Sequence, residues 1–77
     1  MLMDVTVLSP QEIILQSGVR SVIVPGEEGV FEILPLHKRT MSRLISGKVL
    51  IDQEALPIKR GIVKVDQNKV VIIIEKV

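Results

Sequence analysis

Apolar and polar positions alternate along most of this chain. Proline, glycine or a polar cluster interrupts the alternation about every 8–12 residues, the spacing of short strands in a sandwich or barrel. From Leu2 to Leu8, Met3, Val5 and Val7 share one face while Leu2, Asp4, Thr6 and Leu8 share the other, which predicts a strand. Ser9-Pro10-Gln11-Glu12 reads as a turn, because Pro10 presets its own φ and keeps Ser9 extended. Ile13–Gln16 predicts a short second strand ended by Ser17-Gly18. Val19–Val24 predicts a third, whose apolar residues do not alternate cleanly. Val30–Leu34 predicts a fourth, stopped by Pro35.

Residues 38 to 46 fit two patterns. Met41, Leu44 and Ile45 suit one or two helical turns, while Met41, Arg43 and Ile45 alternate as in a half-exposed strand; the extended reading is preferred. After Gly47, Lys48–Asp52 alternates with Val49 and Ile51 inward. Asp52-Gln53-Glu54-Ala55 then reads as a hairpin connection and Leu56-Pro57-Ile58 as a short edge strand, since Pro57 cannot donate to a ladder. Gly61 permits a bulge or a close backbone approach. Ile62–Val65 is expected to pair with Val70–Glu75 across Asp66-Gln67-Asn68-Lys69, where Asn68 can take φ > 0. No stretch sustains a helical period. The pattern predicts one all-β domain over residues 1–77.

Composition sharpens this picture. Hydrophobic residues make up 47% of the chain but aromatics only 1%, so the core must be aliphatic. Its β-branched valines and isoleucines favour a pleated surface. Without cysteine there is no disulfide and no thiolate metal site. The longest apolar run, Val70–Ile74, is far shorter than the ~20 residues that span a bilayer, and the start, with Asp4 and no cations, is not expected to be a signal peptide. A net charge of +1 gives no global field for nucleic acid or an anionic membrane.

The densest punctuation is Pro25-Gly26-Glu27-Glu28-Gly29-Val30-Phe31-Glu32-Ile33-Leu34-Pro35-Leu36-His37, which holds the only aromatic and the only histidine. Pro25 presets φ and Gly26 accepts φ > 0, which predicts a tight, solvated loop between strands, with two carboxylates at its tip. No catalytic constellation accompanies it. His37 has no cysteine to activate, and a histidine beside a proline turn more often packs or makes a contact. Neighbouring carboxylates on a loop tip face different ways and stay hydrated. Gly26-Glu27-Glu28-Gly29 would repel phosphate and precedes no helix. One histidine with scattered carboxylates is too few ligands for a metal. Lys38, Arg39 and Arg43 form the one basic concentration, without an aromatic for base stacking, so a solvated edge is favoured over nucleic-acid binding.

One feature asks for more than a solvated domain. Val70-Val71-Ile72-Ile73-Ile74 is apolar on both faces, whereas one face of a small antiparallel sheet normally meets water. It reads either as the central strand of a closed sandwich or as part of a partner surface.

The segment Pro25 to His37 also resembles the signature of the ε subunit of F-type ATP synthases, in its N-terminal β-sandwich domain. The similarity extends over nearly the whole chain, through Ser9-Pro10-Gln11-Glu12, Val22-Ile23-Val24-Pro25-Gly26, Leu44-Ile45-Ser46-Gly47, Gly61–Val65 and Asn68–Ile72. It implies a sandwich of two five-stranded sheets, about ten short strands in all. It also implies a non-catalytic rotor part without cofactor that joins the γ subunit of the central stalk to the membrane ring of c subunits, at the inner face of the cell membrane. The resemblance assigns the ring contact to Gly26, Glu27, Glu28, Gly29 and Val30, with His37 beside them, and the γ contact to Ser9, Ser42 and Ile72. A carboxylate at Ile72 is accordingly expected to impair partner binding more than folding. Leu36 stands where the family has a small residue, Thr40 where it has proline, Val30 where it often has a carboxylate, and Arg60-Gly61 where it has Gly-Gly. The sequence ends at Val77, so the C-terminal helices of many relatives are expected to be absent. A stand-alone β-sandwich adaptor binding another protein through Val70–Ile74 is the alternative function. A far-UV spectrum of the chain is expected to show less than about a fifth helix, because only residues 38–46 leave room for any.

Overall fold

The computed structural model describes residues 1–77. Eight strands and no helix make up the chain: β1 (Met3–Leu8), β2 (Ile13–Val19), β3 (Val22–Gly26), β4 (Gly29–Ile33), β5 (Thr40–Leu44), β6 (Gly47–Ile51), β7 (Glu54–Asp66) and β8 (Lys69–Lys76). Their pairings form a sheet that folds over on itself into a sandwich. One layer runs β5-β7-β8-β1-β2, with β1 and β8 parallel; the other runs β4-β3-β6-β7. The core between the layers is wholly aliphatic and includes Met3, Val5 and Val7 as the alternation of β1 predicts, with Val24, Ile33, Val49, Ile58, Val63 and Ile72, each fully buried or nearly so. Residues 40–44 are extended, as preferred above.

The strand count is eight rather than about ten, and β7 is the main reason. Leu56–Ile58 and Ile62–Val65 belong to this single strand of 13 residues, whose first part pairs with β6 and whose second pairs with β5 and β8. Pro57 does not end it, since an edge position asks for no N–H there. Between Ile58 and Arg60 the register against β8 shifts by one residue, so that Lys59 is extra. A bulge of this kind reverses which side chains point inward. Leu56 and Ile58 face the core before it, Val63 and Val65 after it. Gly61 follows, and a Cβ there would lie 2.6 Å from the Ile73 carbonyl oxygen, so the expected close approach is met. Likewise, β2 continues through Ser17-Gly18 to Val19 instead of ending there.

The hairpins turn on two residues each. Asp52 and Gln53 have φ of 47° and 75°, and Gln67 and Asn68 have φ of 50° and 62°, both with the handedness of type I′ turns. Glu54 and Ala55 therefore lie in β7 and not in the connection. Side chains then tie these turns to distant loops. The Asp52 carboxylate accepts from the backbone N–H of Arg20 and of Ser21, each at 3.0 Å, and closes the β2–β3 bend. Asn68 accepts from the Leu36 N–H at 3.0 Å and donates to the Leu2 carbonyl at 2.9 Å.

Leu34-Pro35-Leu36-His37 is a type II turn: the His37 N–H donates to the Leu34 carbonyl at 3.1 Å, Pro35 takes the second position and Leu36 the third, at φ 66°. A left-handed conformation costs an L-residue about 1–2 kcal/mol, a cost that glycine, without a Cβ, avoids. The Leu36 side chain is 72% exposed and contributes little packing. Leu36→Gly is therefore expected to stabilise the fold by about 0.5–1 kcal/mol after the added freedom of the unfolded chain is subtracted. Asn68→Gly keeps the turn but deletes both side-chain bonds, and should cost about 1–2 kcal/mol. Urea midpoints at constant m-value measure both.

Candidate functional site

The hairpin tip between β3 and β4 is built as a rigid projection. Gly26 opposes Gly29 across it, with Glu27 and Glu28 as the two connecting residues. The glycines have different duties from those expected. Gly29 takes the positive φ, at 131°, while Gly26 is needed for space, since a Cβ there would lie 2.8 Å from the Phe31 ring. Two backbone bonds flanking the Gly26–Leu44 pair hold the tip to the end of β5: the Glu27 N–H donates to the Arg43 carbonyl at 3.2 Å, and the Ile45 N–H to the Pro25 carbonyl at 2.9 Å. Glu27, Glu28 and Val30 are left in solvent on this fixed backbone.

His37 lies near this tip. Its Nδ1 sits 2.8 Å from the Lys38 carbonyl, which only accepts, so Nδ1 is the donor in this contact. Gly26 to Val30, His37 and Ser42 line one open groove of about 810 Å³, with Phe31 and Thr40 among the residues between them. The structure thus brings together all six residues assigned to the ring contact, and adds Ser42.

The three residues assigned to the γ contact do not form a surface. Ile72 is fully buried: it opposes Val63 on β7 and Val7 on β1, and all three point into the core. A carboxylate there would break the fold first, so the expectation that binding suffers more than folding is overturned. Ser9 is 8% exposed and closes the β1–β2 turn, its backbone exchanging hydrogen bonds with Glu12 at 2.9 and 3.3 Å. Ser42 is half-buried, on the inward parity of β5 with Leu44, and faces the groove.

What the doubly apolar strand presents outward is Ile73, together with the half-buried Val71. Register carries Ile73 into a row across five strands: Arg43 opposes Ile62, Ile62 opposes Ile73, Ile73 is beside Leu8, and Leu8 opposes Ile13. Ile62, Ile73 and Ile13 are 45%, 48% and 61% exposed, so four apolar side chains form a continuous band on the outer face of one layer. Met41 and Ile45 on or beside β5 are exposed as well. The sequence reading missed Leu8, Ile13 and Ile62. The available signal was apolar residues on the polar parity of three strands, legible only once the strands are aligned.

The basic concentration disperses. Arg39 pairs with Asp66 at 3.4 Å, and Arg43 heads the apolar row, about 16 Å along the extended chain from Lys38. No group of three or more His, Cys, Asp or Glu side chains is placed to hold a metal ion. No helix is long and apolar enough to cross a membrane.

Comparisons with known proteins bear on these surfaces. Residues 2–77 match the family described as "ATP synthase, Delta/Epsilon chain, beta-sandwich domain". The ATP synthase epsilon chain of Sulfurovum sp. is 34% identical over 79 residues, covering 96% of this chain and 62% of the relative. That of Campylobacter fetus is 34% identical and covered over 57% of its length; that of Chlorobium limicola is 32% identical and covered over 86%. The chain thus spans about three-fifths of the length of the first two. Among solved structures, a chain of the Euglena gracilis mitochondrial ATP synthase superposes with a TM-score of 0.88 at 24% identity over 95% of this chain and 50% of its own. A chain of the Tetrahymena thermophila central stalk and c-ring structure gives 0.85 at 20%, over 96% of this chain and 63% of its own. Aliphatic sandwich, hairpin signature and whole-length match agree, and the chain belongs to the β-sandwich domain family of the ATP synthase delta/epsilon chains.

Proposed function

We propose that this domain is a non-catalytic joint in the rotor of a rotary ATP synthase, seated on the γ subunit by the outer face of its β5-β7-β8-β1-β2 layer and meeting the membrane c ring with the β3–β4 hairpin tip. One observation carries the proposal: the exposed band of Ile13, Leu8, Ile73 and Ile62 on an otherwise complete sandwich. Contiguous apolar surface of this kind is covered by a partner in a working assembly. The relatives carry the name ATP synthase epsilon chain; one structural neighbour comes from a central stalk and c-ring structure and the other from an OSCP, F1 and c-ring structure. Transmission of torque asks for a stiff body with two separate faces. The sandwich supplies the stiffness, and the tip, fixed to β5 by backbone bonds, supplies the second face. In this role the chain is peripheral to the membrane, on the inner face of the cell membrane, and binds no cofactor.

The γ contact assigned to Ile72 passes to Ile73 and Ile62 in this reading. Ile73→Asp should fold, with a melting temperature within a few degrees of wild type, since the side chain is already half in water. It should weaken γ binding by about tenfold or more, through a charge desolvated only in the complex. Ile72→Asp should leave the chain unfolded, because an unpaired charge in the core costs more than so small a domain can lose. Undiminished γ binding by Ile73→Asp would remove this face from the joint.

At the tip, both carboxylates are hydrated and outside any ion pair of the fold. Glu27→Lys with Glu28→Lys should therefore leave the melt nearly unchanged while weakening attachment to isolated c ring, more strongly at low salt. Ring binding at two ionic strengths, with the melt as control, reads this directly.

A further inference from the structure

The outer face of the β5-β7-β8-β1-β2 layer carries its charges in rows set by register. At one end Lys69 stands between Asp66 on β7 and Asp4 on β1, and Asp66 also pairs with Arg39 at 3.4 Å. Towards the other end Arg60 opposes Glu75 and pairs with it at 2.7 Å. Opposite charges placed across a ladder in this way compensate one another. The two rows between are different. Over β5, β7 and β8 they hold Ile62, Ile73, Met41 and Val71, and their only charges are two cations. Arg43 opposes Ile62, while Lys64 stands between Met41 and Val71. Both are exposed, and neither takes part in an ion pair. They are diagonal neighbours on adjacent strands, about 7–8 Å apart. Five cations against three carboxylates leave these rows with an excess of two positive charges, although the whole chain carries only +1.

The excess lies where a partner must sit. Any surface that covers Ile62 and Ile73 also removes water from Arg43 and Lys64, and burying an unpaired cation is costly. Nothing in the chain stands ready to offset that cost. Asp66 is engaged by Arg39 and Glu75 by Arg60, while Glu27 shares a groove with Arg43 without forming an ion pair. The counter-charge therefore has to come from the partner. Beside Arg43 there is room for it, in an open recess of about 560 Å³ bordered by Ile45, Ile62 and Ile73. An anionic lipid surface is disfavoured, because membranes are held by clusters of four or more basic residues and the free cations here number two.

We propose that the γ surface seated on this layer is apolar at its centre and acidic at two points. One carboxylate enters the recess beside Arg43, and a second meets Lys64 between Met41 and Val71. This deepens the rotor reading and rests on it. The apolar band supplies most of the contact area, and the two charge pairs fix the orientation of the domain on γ and speed its docking.

Binding to the immobilised γ subunit of the same synthase, at low and at high salt, provides the test. Wild type should bind more weakly as salt rises. Arg43→Glu with Lys64→Glu should fold, since both side chains are exposed and unpaired, and should bind about tenfold or more weakly at low salt, with much of the difference gone at high salt. Should the reversed pair melt early, Arg43→Gln with Lys64→Gln serves instead, with a smaller loss and a flatter dependence on salt. Lys48→Glu changes charge on β6 of the other layer and should bind like wild type. Ile73→Gln removes apolar contact without adding charge and should weaken binding about equally at both salt concentrations. A loss with Ile73→Gln but none with the reversed or neutral pair would overturn the acidic seat and leave the rotor reading standing. Undiminished binding by all of these variants would overturn both. Co-sedimentation of wild type with phosphatidylglycerol–phosphatidylcholine vesicles, abolished in the reversed pair, would give the cations to a lipid surface and overturn the acidic seat as well.

Discussion

Everything in this fold depends on one strand serving two layers. The strand β7 pairs with β6 at its start and with β5 and β8 at its end, so it forms the corner where the sheet turns over on itself. The difficulty is parity. A straight strand that crosses from one layer to the other would expose its apolar residues after the corner. The extra residue Lys59 solves this by moving the inward set from Leu56 and Ile58 to Val63 and Val65. With Ile58 and Val63 both fully buried, the two layers share a single core. Gly61, beside the bulge, lets the backbones of β7 and β8 approach closely enough for the ladder to resume.

That corner also determines where function can reside. Because β8 packs against the second half of β7 and against β1, its even-numbered residues Val70, Ile72 and Ile74 are committed to the core, and Ile73 is left outside. The same alignment lines Ile73 up with Ile62 and Leu8, so that single apolar residues on three strands become a band. An aliphatic core without aromatics is assembled from many small contacts, and loops cannot lean on one large side chain. Polar bridges compensate. Asp52 holds the β2–β3 bend, and Asn68 holds both the N-terminal segment and the Pro35 turn. The hairpin tip is held in the same way through backbone bonds to β5. Its two carboxylates ride on a fixed frame.

Local chemistry was legible in the sequence. Period-two alternation set Met3, Val5 and Val7 on one face, which proves to be the inner one, and placed Val49 and Ile51 inward, where Val49 is buried and Ile51 packs partly buried against the core; the scarcity of aromatics implied the aliphatic core. Asn68 was expected at φ > 0 and is found there. The Pro25 to His37 signature identified a hairpin and the family. It also grouped the tip residues with His37, which the fold brings together in one groove. These properties are fixed by a few neighbouring residues, so a linear reading reaches them.

What only the tertiary structure decided concerns parity and register. In Val70–Ile74 both parities are apolar, so nothing within the run says which one faces inward; its neighbours Val63 and Val7 choose Ile72 for the core and leave Ile73 out. The assignment of Ile72 to a partner failed for this reason. The merging of two short predicted strands into β7 has the same origin, since a bulge is a relation between strands and leaves no separate mark in one of them. Chain sequence determined the strands, their turns and their composition. Pairing across the chain determined which apolar residues became core and which became surface, because a one-residue shift in register exchanges the two faces of a strand.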